Sequence, residues 1–393
     1  MKPTISSKKT YIWELPTWPN FQFDRDRIEP ILVRARQVQG KIIGKASAIG
    51  LTTLADVHQQ LWIDEVIATA AIEGESLNPD SVRSSVLRKL GIEHSRVADT
   101  RSEMIDGLVA VIDDALTHHH EVLNHERLGS WHHAIFSNER SIKKIRVGGY
   151  RTHPEPMQIV SGLYRKEKVH YIAPPSVDVH FHVEHFLQWF EKSCSRAKNS
   201  NNQLVDGLCR AAIAHLWFES IHPFEDGNGR IGRAILDMAL AQDYPQSMRI
   251  YSISNQIMRN RSSYYDALER AQCGDLEISD WLSWFLETFI QSCETSSQFM
   301  DDAIAKSQFW AMHVNRPLNE RHRKVIQKLM EAGDGGFLGG LNAEKYQKIT
   351  KVSKATATRD LVLLKEWNIL FSVGDGKATR YYLKLGGWGH GLG

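Results

Sequence analysis

The chain has 393 residues, of which 42% are apolar and 24% charged, and its formal net charge is +2. These ordinary values argue against a disordered or fibrous protein, and the charge alone does not indicate nucleic acid or membrane as a partner. The sequence has neither an apolar run of the ~20 residues that a transmembrane helix needs nor an apolar segment after the N-terminal lysines. We therefore expect a cytoplasmic, mainly α-helical protein of two or three domains without membrane contact.

The N-terminal region begins with a stretch rich in tryptophan and proline. Because proline fixes φ and cannot continue a helix, we expect this stretch to lie extended across a surface, with Trp13 and Trp18 as anchors. A helix follows over about 54–72, where apolar residues recur at multiples of three and four. Gly74 is predicted to end this helix.

The middle of the chain is predicted to be helical with one β-hairpin. The predicted helices cover about 100–117, 124–136, 178–194, 203–220, 229–243, 259–273 and 279–298. Between about 148 and 175, short β-rich segments flanked by glycine and proline predict a hairpin instead.

The C-terminal block, residues 319–383, carries twelve Lys and Arg against seven Asp and Glu. Its predicted order is three helices and two strands, at about 319–331, 343–350, 354–367, 370–373 and 380–383. A helix, a helix–turn–helix and a hairpin in this order are typical of a winged helix. The glycine-rich tail, 386–393, is expected to be disordered.

The segment His222-Pro-Phe-Glu-Asp-Gly-Asn-Gly-Arg-Ile-Gly-Arg233 stands between two helical patterns. Gly227 and Gly229 free the backbone at the point where the second helix begins, and the N–H groups there form a nest that favours phosphate. Arg230 and Arg233 lie three residues apart on one helix face and add two permanent charges.

Two further side chains of this segment suggest the chemistry. Asp226 is a carboxylate suited to hold Mg²⁺ together with phosphate oxygens. His222 is neutral near pH 7 and can take a proton from a hydroxyl group. A base, a metal-binding carboxylate and an anion nest indicate transfer of a nucleotide or phosphoryl group to a hydroxyl.

The twelve residues HPFEDGNGRIGR match the signature of Fic-domain proteins, so the chain resembles that family. The related Doc kinases carry lysine at the position of Gly229, and the resemblance therefore implies AMP transfer from ATP to a Ser, Thr or Tyr hydroxyl of a protein. It implies a Fic-type helical bundle with a hairpin flap that pairs with the target backbone. Phe224 would anchor the loop, and Gln272 stands where relatives often have asparagine.

The resemblance also implies functional residues. His222 would be the catalytic base, Asp226 the metal ligand, and Arg230 and Arg233 the residues that hold the β- and γ-phosphates. The residues expected to contact ATP are Glu73, Ile159, Val160, Ser161, Gly162, His222, Asp226, Gly227, Asn228, Gly229, Arg230, Ile231, Gly232, Arg233, Tyr264 and Tyr265.

A second motif, Thr69-Ala-Ala-Ile-Glu73-Gly74, resembles the inhibitory helix that precedes the catalytic core in one class of Fic proteins. A bidentate ion pair between Glu73 and Arg233 would withhold that arginine from the γ-phosphate. Thr69 lies one turn earlier on the same face and is expected to position the contact. Glu73 is also a candidate to orient water for AMP removal.

We expect an N-terminal helical module with the inhibitory helix at 1–100, a Fic core at 101–300, a winged-helix-like domain at 301–385 and the tail. The expected partner is an unidentified target protein, with auto-modification and a homodimer left open. An alternative is a DNA-binding regulator that uses the Fic core as a nucleotide sensor, with Lys354, Thr356 and Arg359 towards DNA. Transfer of UMP or phosphocholine is a third hypothesis.

Overall fold

The computed structural model describes residues 10–92, 102–136, 145–161, 168–194, 205–244, 249–333, 336–386 and 388. They fall into two compact units, one within 1–48 and 54–296 and the other within 49–53 and 297–393. The helices are α1 (Arg25–Ala48), α2 (Leu51–Ile72), α3 (Pro79–Lys89), α4 (Glu103–Thr117), α5 (His125–Phe136), α6 (Val179–Lys192), α7 (Gly207–Ile221), α8 (Asn228–Asp243), α9 (Ile253–Arg259), α10 (Arg261–Ala271), α11 (Ser279–Met312), α12 (Glu320–Glu331), α13 (Ala343–Thr350) and α14 (Lys354–Glu366). The strands are β1 (Gln158–Ser161), β2 (Lys168–Ile172), β3 (Leu370–Val373) and β4 (Arg380–Leu383). The protein is mainly helical, as predicted.

Helix α2 follows its sequence pattern. Val57, Leu61 and Ile72 are buried, so the predicted apolar face packs into the core. Gly74 has a φ of +86° and ends the helix, and its N–H donates to the carbonyl of Ala71 at 3.0 Å. The helix and its end were both predicted correctly.

The pair α7–α8 forms the centre of the first unit. Helix α7 is buried on all sides over nearly its whole length, as expected for a helix surrounded by others. Asp206 caps its first turn by accepting from the N–H of Leu208 at 2.8 Å. Only the loop 222–227 separates α7 from α8, so the sequence motif lies at the junction of two buried helices.

The hairpin β1–β2 is antiparallel, and its register shifts between Ile159 and Val160. On β2, Tyr171 is fully buried and its hydroxyl donates to the carbonyl of Ser220 in α7 at 2.8 Å. Ile159 pairs with Tyr171, whereas Val160 is exposed. The hairpin is therefore attached to the end of α7 by one strand, and the other strand remains accessible.

The N-terminal aromatic segment differs in part from the prediction. Residues Ile12–Glu14 form a short 3₁₀ helix rather than extended chain. The two tryptophans predicted as anchors both contact residues of the same unit. Trp13 Nε1 donates to the carbonyl of Ile172 at 2.7 Å, and Trp18 packs edge-on against Trp217. The surface that this segment covers is formed by its own chain.

Two helical regions also differ from the prediction. Helix α1 was missed because Pro30 lies inside it. Arg36 ties α1 to both central helices through ion pairs with Asp206 at 2.8 Å and Asp243 at 2.5 Å. The predicted helix at 259–273 corresponds to α10, whereas α9, which precedes it and is separated from it by Asn260, was not predicted.

The second unit contains α12–α14 and the antiparallel pair β3–β4 around its own apolar core. The expectation of a disordered tail is wrong at Trp388, which is buried and whose Nε1 donates to Asp302 Oδ1 at 3.3 Å. Residues 387 and 389–393 lie outside the described residues. In the part of the chain that the structure describes, no helix combines the length and apolarity needed to cross a bilayer.

Candidate active site

The catalytic segment begins where α7 ends, at His222. This residue has a φ of +49°, which breaks the helix and turns the chain into the loop. The buried guanidinium of Arg151 holds that turn, donating to the carbonyls of His222 at 2.8 Å, Ile221 at 3.2 Å and Pro174 at 2.6 Å. Sequence reasoning did not identify Arg151, because its partners are distant in the chain.

Phe224 and Asn228 fix the shape of the loop. The Asn228 side chain accepts from the N–H of Phe224 at 2.9 Å and donates to the carbonyl of the same residue at 2.9 Å. The Phe224 ring is fully buried and stacks on His132 with centroids 4.3 Å apart. Phe224 thus packs as predicted for an anchor, and the Asn228 amide is committed to the loop, which leaves its backbone N–H for a ligand.

Two glycines permit close approach at the start of α8. Gly227 has a φ of +80°, and a Cβ added there would lie 2.6 Å from the Phe136 ring. A Cβ added to Gly229 would lie 2.1 Å from Glu73 Oε1. Because the first N–H groups of a helix have no intrahelical acceptor, this end of α8 presents donors in the space beside Glu73.

Arg233 is bound by the end of α2. Its Nη2 donates to Glu73 Oε1 at 2.8 Å and to the Thr69 carbonyl at 2.8 Å, and its Nε donates to Thr69 Oγ1 at 2.5 Å. The pairing was expected to be bidentate, but Glu73 contributes one oxygen because Thr69 takes the Nε position. Arg233 Nη1 has no hydrogen-bond partner among the described residues.

Arg230 is held by a residue that the sequence analysis did not single out. Its Nη1 lies 3.1 Å from Glu75 Oε1, and its guanidinium lies 4.7 Å from the centre of the Phe136 ring. Glu75 stands two residues after Glu73, so both arginines of the motif meet carboxylates from the end of α2. The spacing of Glu73 and Glu75 is the signal that was available in the sequence.

Burial controls protonation in the site. Burial, reinforced by the charge of Arg151, lowers the pKa of His222 to about 4, so the imidazole is neutral at pH 7. Burial, reinforced by Glu73, raises the pKa of Glu219 to about 8. Burial alone would raise the pKa of Glu73, but Arg233 outweighs it and keeps that pKa below its ordinary value.

Asp226 is the candidate metal ligand. Its side chain is 47% exposed, its Oδ1 accepts from the N–H of Gly227 at 2.7 Å, and Arg230 lies 3.8 Å away. No group of three or more His, Cys, Asp or Glu side chains is arranged to hold a metal within the described ranges. One accessible carboxylate beside an anion nest fits Mg²⁺, which keeps water and phosphate oxygens as most of its ligands.

The remaining predicted residues are placed differently from one another. Tyr265 donates to the Ile72 carbonyl at 3.0 Å and so touches the end of α2, whereas Tyr264 is buried with its hydroxyl 2.9 Å from His215 Nε2. The Ile231 side chain is buried in the core, which leaves only its backbone for a ligand. A Cβ on Gly232 would meet Glu219 at 2.2 Å.

The hairpin residues and Gln272 complete the predicted set. Among the described contacts, no hydrogen bond joins Ile159 or Val160 to the motif. The side chain of Ser161 and the whole of Gly162 lie outside the described part of the chain. Gln272 is buried, its Nε2 lies 3.4 Å from Ser220 Oγ, and its carbonyl accepts from the N–H of Ile12 at 3.1 Å.

A known protein family matches the region of the chain that contains this site. Residues 122–240 match the Fic/DOC family, and residues 11–92 match a domain of unknown function, DUF4172. A probable protein adenylyltransferase of Aquifex aeolicus (strain VF5) is 36% identical over 83 residues, which cover 21% of this chain and 23% of the relative. A protein adenylyltransferase Fic of Drosophila virilis is 26% identical over 272 residues, which cover 65% of this chain and 52% of the relative.

A Fic family protein from Desulfovibrio desulfuricans G20 has a similar structure, with a TM-score of 0.50 at 19% identity, covering 91% of this chain and 95% of that one. Residues 122–240 thus match the Fic/DOC family, protein adenylyltransferases are among the relatives of the chain, and its fold is similar to that of a Fic protein. The chain spans about a quarter and about half of the lengths of the two curated relatives.

Proposed function

We propose that the protein transfers AMP from ATP to a hydroxyl side chain of another protein or of itself. The single observation that carries this proposal is the junction of α7 and α8, where a neutral imidazole, whose side chain is 16% exposed, stands beside a helix N-terminus with two arginines. The names of the curated relatives support the same reaction.

The reaction assigns a role to each group. The target oxygen attacks the α-phosphorus of ATP, the bond from that phosphorus to the bridging oxygen breaks, and pyrophosphate leaves. His222 accepts the hydroxyl proton, for which its pKa of about 4 keeps it in the basic form. The N–H groups at the start of α8 and the guanidinium groups of Arg230 and Arg233 would bind the phosphates.

Asp226 would hold Mg²⁺ against the phosphate oxygens, where the ion would neutralise part of their charge. The exposed strand β1, with Val160, would pair with the backbone of the target. Tyr265 would form part of the wall of the adenine pocket. Backbone pairing selects weakly among side chains, so the sequence of the target is not specified by this site.

We also propose that the end of α2 inhibits this reaction. Glu73 occupies both a nitrogen of Arg233 and the space over Gly229, which a γ-phosphate would need. An ATP molecule bound beside Glu73 would therefore lack its γ-phosphate contact, and its α-phosphate would be turned away from in-line attack. The exposed position of Glu73 also leaves it accessible to a water molecule that could remove AMP in the reverse reaction.

Labelling with two forms of ATP tests the proposed activity. The Glu73→Gly variant and the parent are incubated with [α-³²P]ATP or [γ-³²P]ATP and a cell lysate. We expect strong protein labelling by the variant with the α label only, weak labelling by the parent, and an AMP mass increment on Ser, Thr or Tyr. Labelling from the γ position would indicate a kinase, and UTP or CDP-choline as the preferred donor would indicate the other transferases.

For the second unit we propose a winged helix, which the order α12–α13–α14–β3–β4 and the cap of Ser353 on α14 support. Lys354 and Arg359 are exposed on α14. Filter binding to duplex DNA over a salt series tests contact with phosphates, because such contact requires affinity to fall as salt rises. A cytoplasmic location and a homodimer remain predictions.

A further inference from the structure

A hydrogen-bonded cap at the end of α2 fixes the position of Glu75. The N–H of Gly74 donates to the carbonyl of Ala71 at 3.0 Å. The N–H of Glu75 donates to the carbonyl of Ala70, also at 3.0 Å. With Gly74 at a φ of +86°, these two bonds form the Schellman motif that commonly ends a helix. The backbone of Glu75 is therefore held in a defined place, two residues beyond Glu73.

Arg230 lies between Glu75 and the candidate metal ligand. Its Nη1 is 3.1 Å from Glu75 Oε1 and donates to Glu75 Oε2 at 3.2 Å. Its Nη2 is 3.8 Å from Asp226 Oδ1, on the side where the phosphates and Mg²⁺ are proposed to bind. The Arg230 side chain is 2% exposed, whereas that of Glu75 is 32% exposed. If Glu75 moved away, a buried Nη1 would need another acceptor.

The charges at this junction favour exchange of a carboxylate for a phosphate. The C-terminus of a helix carries a partial negative charge, so two glutamates at the end of α2 need compensation from elsewhere. Glu73 and Glu75 both obtain it from arginines in the first turns of α8, whose N-terminus also attracts anions. A phosphate oxygen offers these guanidinium groups the same charge-assisted bonds, so a carboxylate and a phosphate would compete for each of them.

We propose that Glu75 is a second inhibitory residue, which withholds Arg230 from the β-phosphate independently of Glu73. This inference rests on the proposed function of the site. The contact of Glu75 with Arg230 does not involve Glu73, and the hydroxyl of Tyr265 donates to the Ile72 carbonyl at 3.0 Å, which also holds the end of α2 in place. Loss of Glu73 would therefore free the γ-phosphate contact and leave the β-phosphate contact blocked.

Calorimetry of the full chain with Mg²⁺ and AMP, ADP or ATP tests the two contacts separately. The ratio of ADP to AMP affinity reports the β-phosphate contact, and the ratio of ATP to ADP affinity reports the γ-phosphate contact. We expect Glu75→Ala to raise the first ratio about tenfold, or about 1.4 kcal/mol, and to leave the second as in the parent. The matched truncation Glu73→Ala should raise only the second ratio.

Two arginine variants identify the group that Glu75 covers. In the Glu75→Ala background, Arg230→Ala should remove the preference for ADP over AMP, whereas Arg233→Ala, the matched control, should keep it. The same ratio of ADP to AMP affinity in the parent and in Glu75→Ala would overturn the proposal, as would an equal rise of this ratio in Glu73→Ala. Glu75→Gln, which keeps the shape of the side chain, gives the same readout if Glu75→Ala does not fold.

The effect on transfer is measured with [α-³²P]ATP below saturation. We expect the double variant Glu73→Gly, Glu75→Ala to label proteins about tenfold faster than Glu73→Gly alone, because both phosphate contacts are then available. Equal rates would refute a restraint by Glu75. If neither variant labels protein, the proposed transferase activity is wrong, while the nucleotide affinities still decide whether Glu75 occupies the place of the β-phosphate.

Discussion

Two buried guanidinium groups lie against α2, and they are held in different ways. Arg249 is paired with Glu65 and Asp237, whose side chains are 2% and 6% exposed. Arg233 is paired with Glu73, whose side chain is 31% exposed and stands just beyond the last residue of α2. The ion pairs of Arg249 are buried and suit a structural role. The ion pair of Arg233 involves a partly exposed carboxylate, Glu73, which can move away.

The surroundings of the two glutamates support this distinction. Glu65 also accepts hydrogen bonds from Ser252, at 2.6 Å, and from Ser254, so several groups would lose a partner if it moved. Glu73 accepts from Arg233 alone within the described residues, and Arg233 would keep both contacts to Thr69 without it. The comparison indicates that a buried charge is available for a ligand only when its partner is accessible.

The largest expected effect concerns the imidazole. In the Glu73→Gly background, His222→Ala should lower the rate of AMP transfer about 10²- to 10⁴-fold, which is the usual contribution of a general base. The measurement is single-turnover labelling with [α-³²P]ATP, and ATP affinity in the same variant is the control. Transfer at the rate of the background variant would remove His222 from the reaction.

Matched truncations in α2 and at its end test the contrast of the two ion pairs. Glu65→Ala removes one of the two carboxylates that pair with the buried Arg249, and it should lower the free energy of unfolding by about 3–5 kcal/mol. Glu73→Ala should cost about 1 kcal/mol or less, because water can replace an exposed carboxylate. Urea unfolding of the full chain measures both, and equal costs would contradict the comparison.

The next test asks whether the phosphates of ATP lie over Gly229. In the Glu73→Gly background, Gly229→Ala places a methyl group where the Glu73 carboxylate now lies and where we place a phosphate. ATP affinity should fall about tenfold, or about 1.4 kcal/mol. Gly40→Ala is the matched control, since its Cβ would meet nothing within 4 Å. Equal affinities in the two variants would show that the phosphates lie elsewhere.

The smallest expected effect concerns pH: the rate of AMP transfer should not change between pH 6 and 8. Only the neutral imidazole can accept a proton, and with a pKa of about 4 it is neutral throughout pH 6 to 8. The single-turnover rate of Glu73→Gly should therefore stay constant over this range, whereas a histidine of ordinary pKa 6.5 would lose about fourfold at pH 6. Such a loss, absent from the ATP affinity, would show that His222 is not held in its neutral form.

The sequence predicted the features that depend on local patterns. The apolar periodicity of α2, the stop at Gly74, the hairpin and the strands of the second unit are all encoded by neighbouring residues, and the structure contains them. The motif was predicted to lie between two helices, and the structure has it at the junction of α7 and α8. Thr69 and Glu73 were also predicted to contact Arg233, although the single-oxygen geometry was not.

Features that depend on distant contacts were not predicted. Arg151 donates hydrogen bonds to the carbonyls of Ile221 and His222, which are 70 and 71 residues away in the chain. Arg230 pairs with Glu75, which is 155 residues away. The burial that shifts the pKa of Glu219 arises from packing that no local pattern records. Helix α1 was missed for a local reason, since Pro30 is ordinarily a sign against a helix.

The central claim is that Glu73 holds the guanidinium that a γ-phosphate requires, and calorimetry with ATP and ADP tests it most directly. The parent should bind ATP and ADP with similar affinity, Glu73→Gly should prefer ATP by about tenfold, and Arg233→Ala in that background should remove the preference. The same ratio of ATP to ADP affinity in all three proteins would contradict the account.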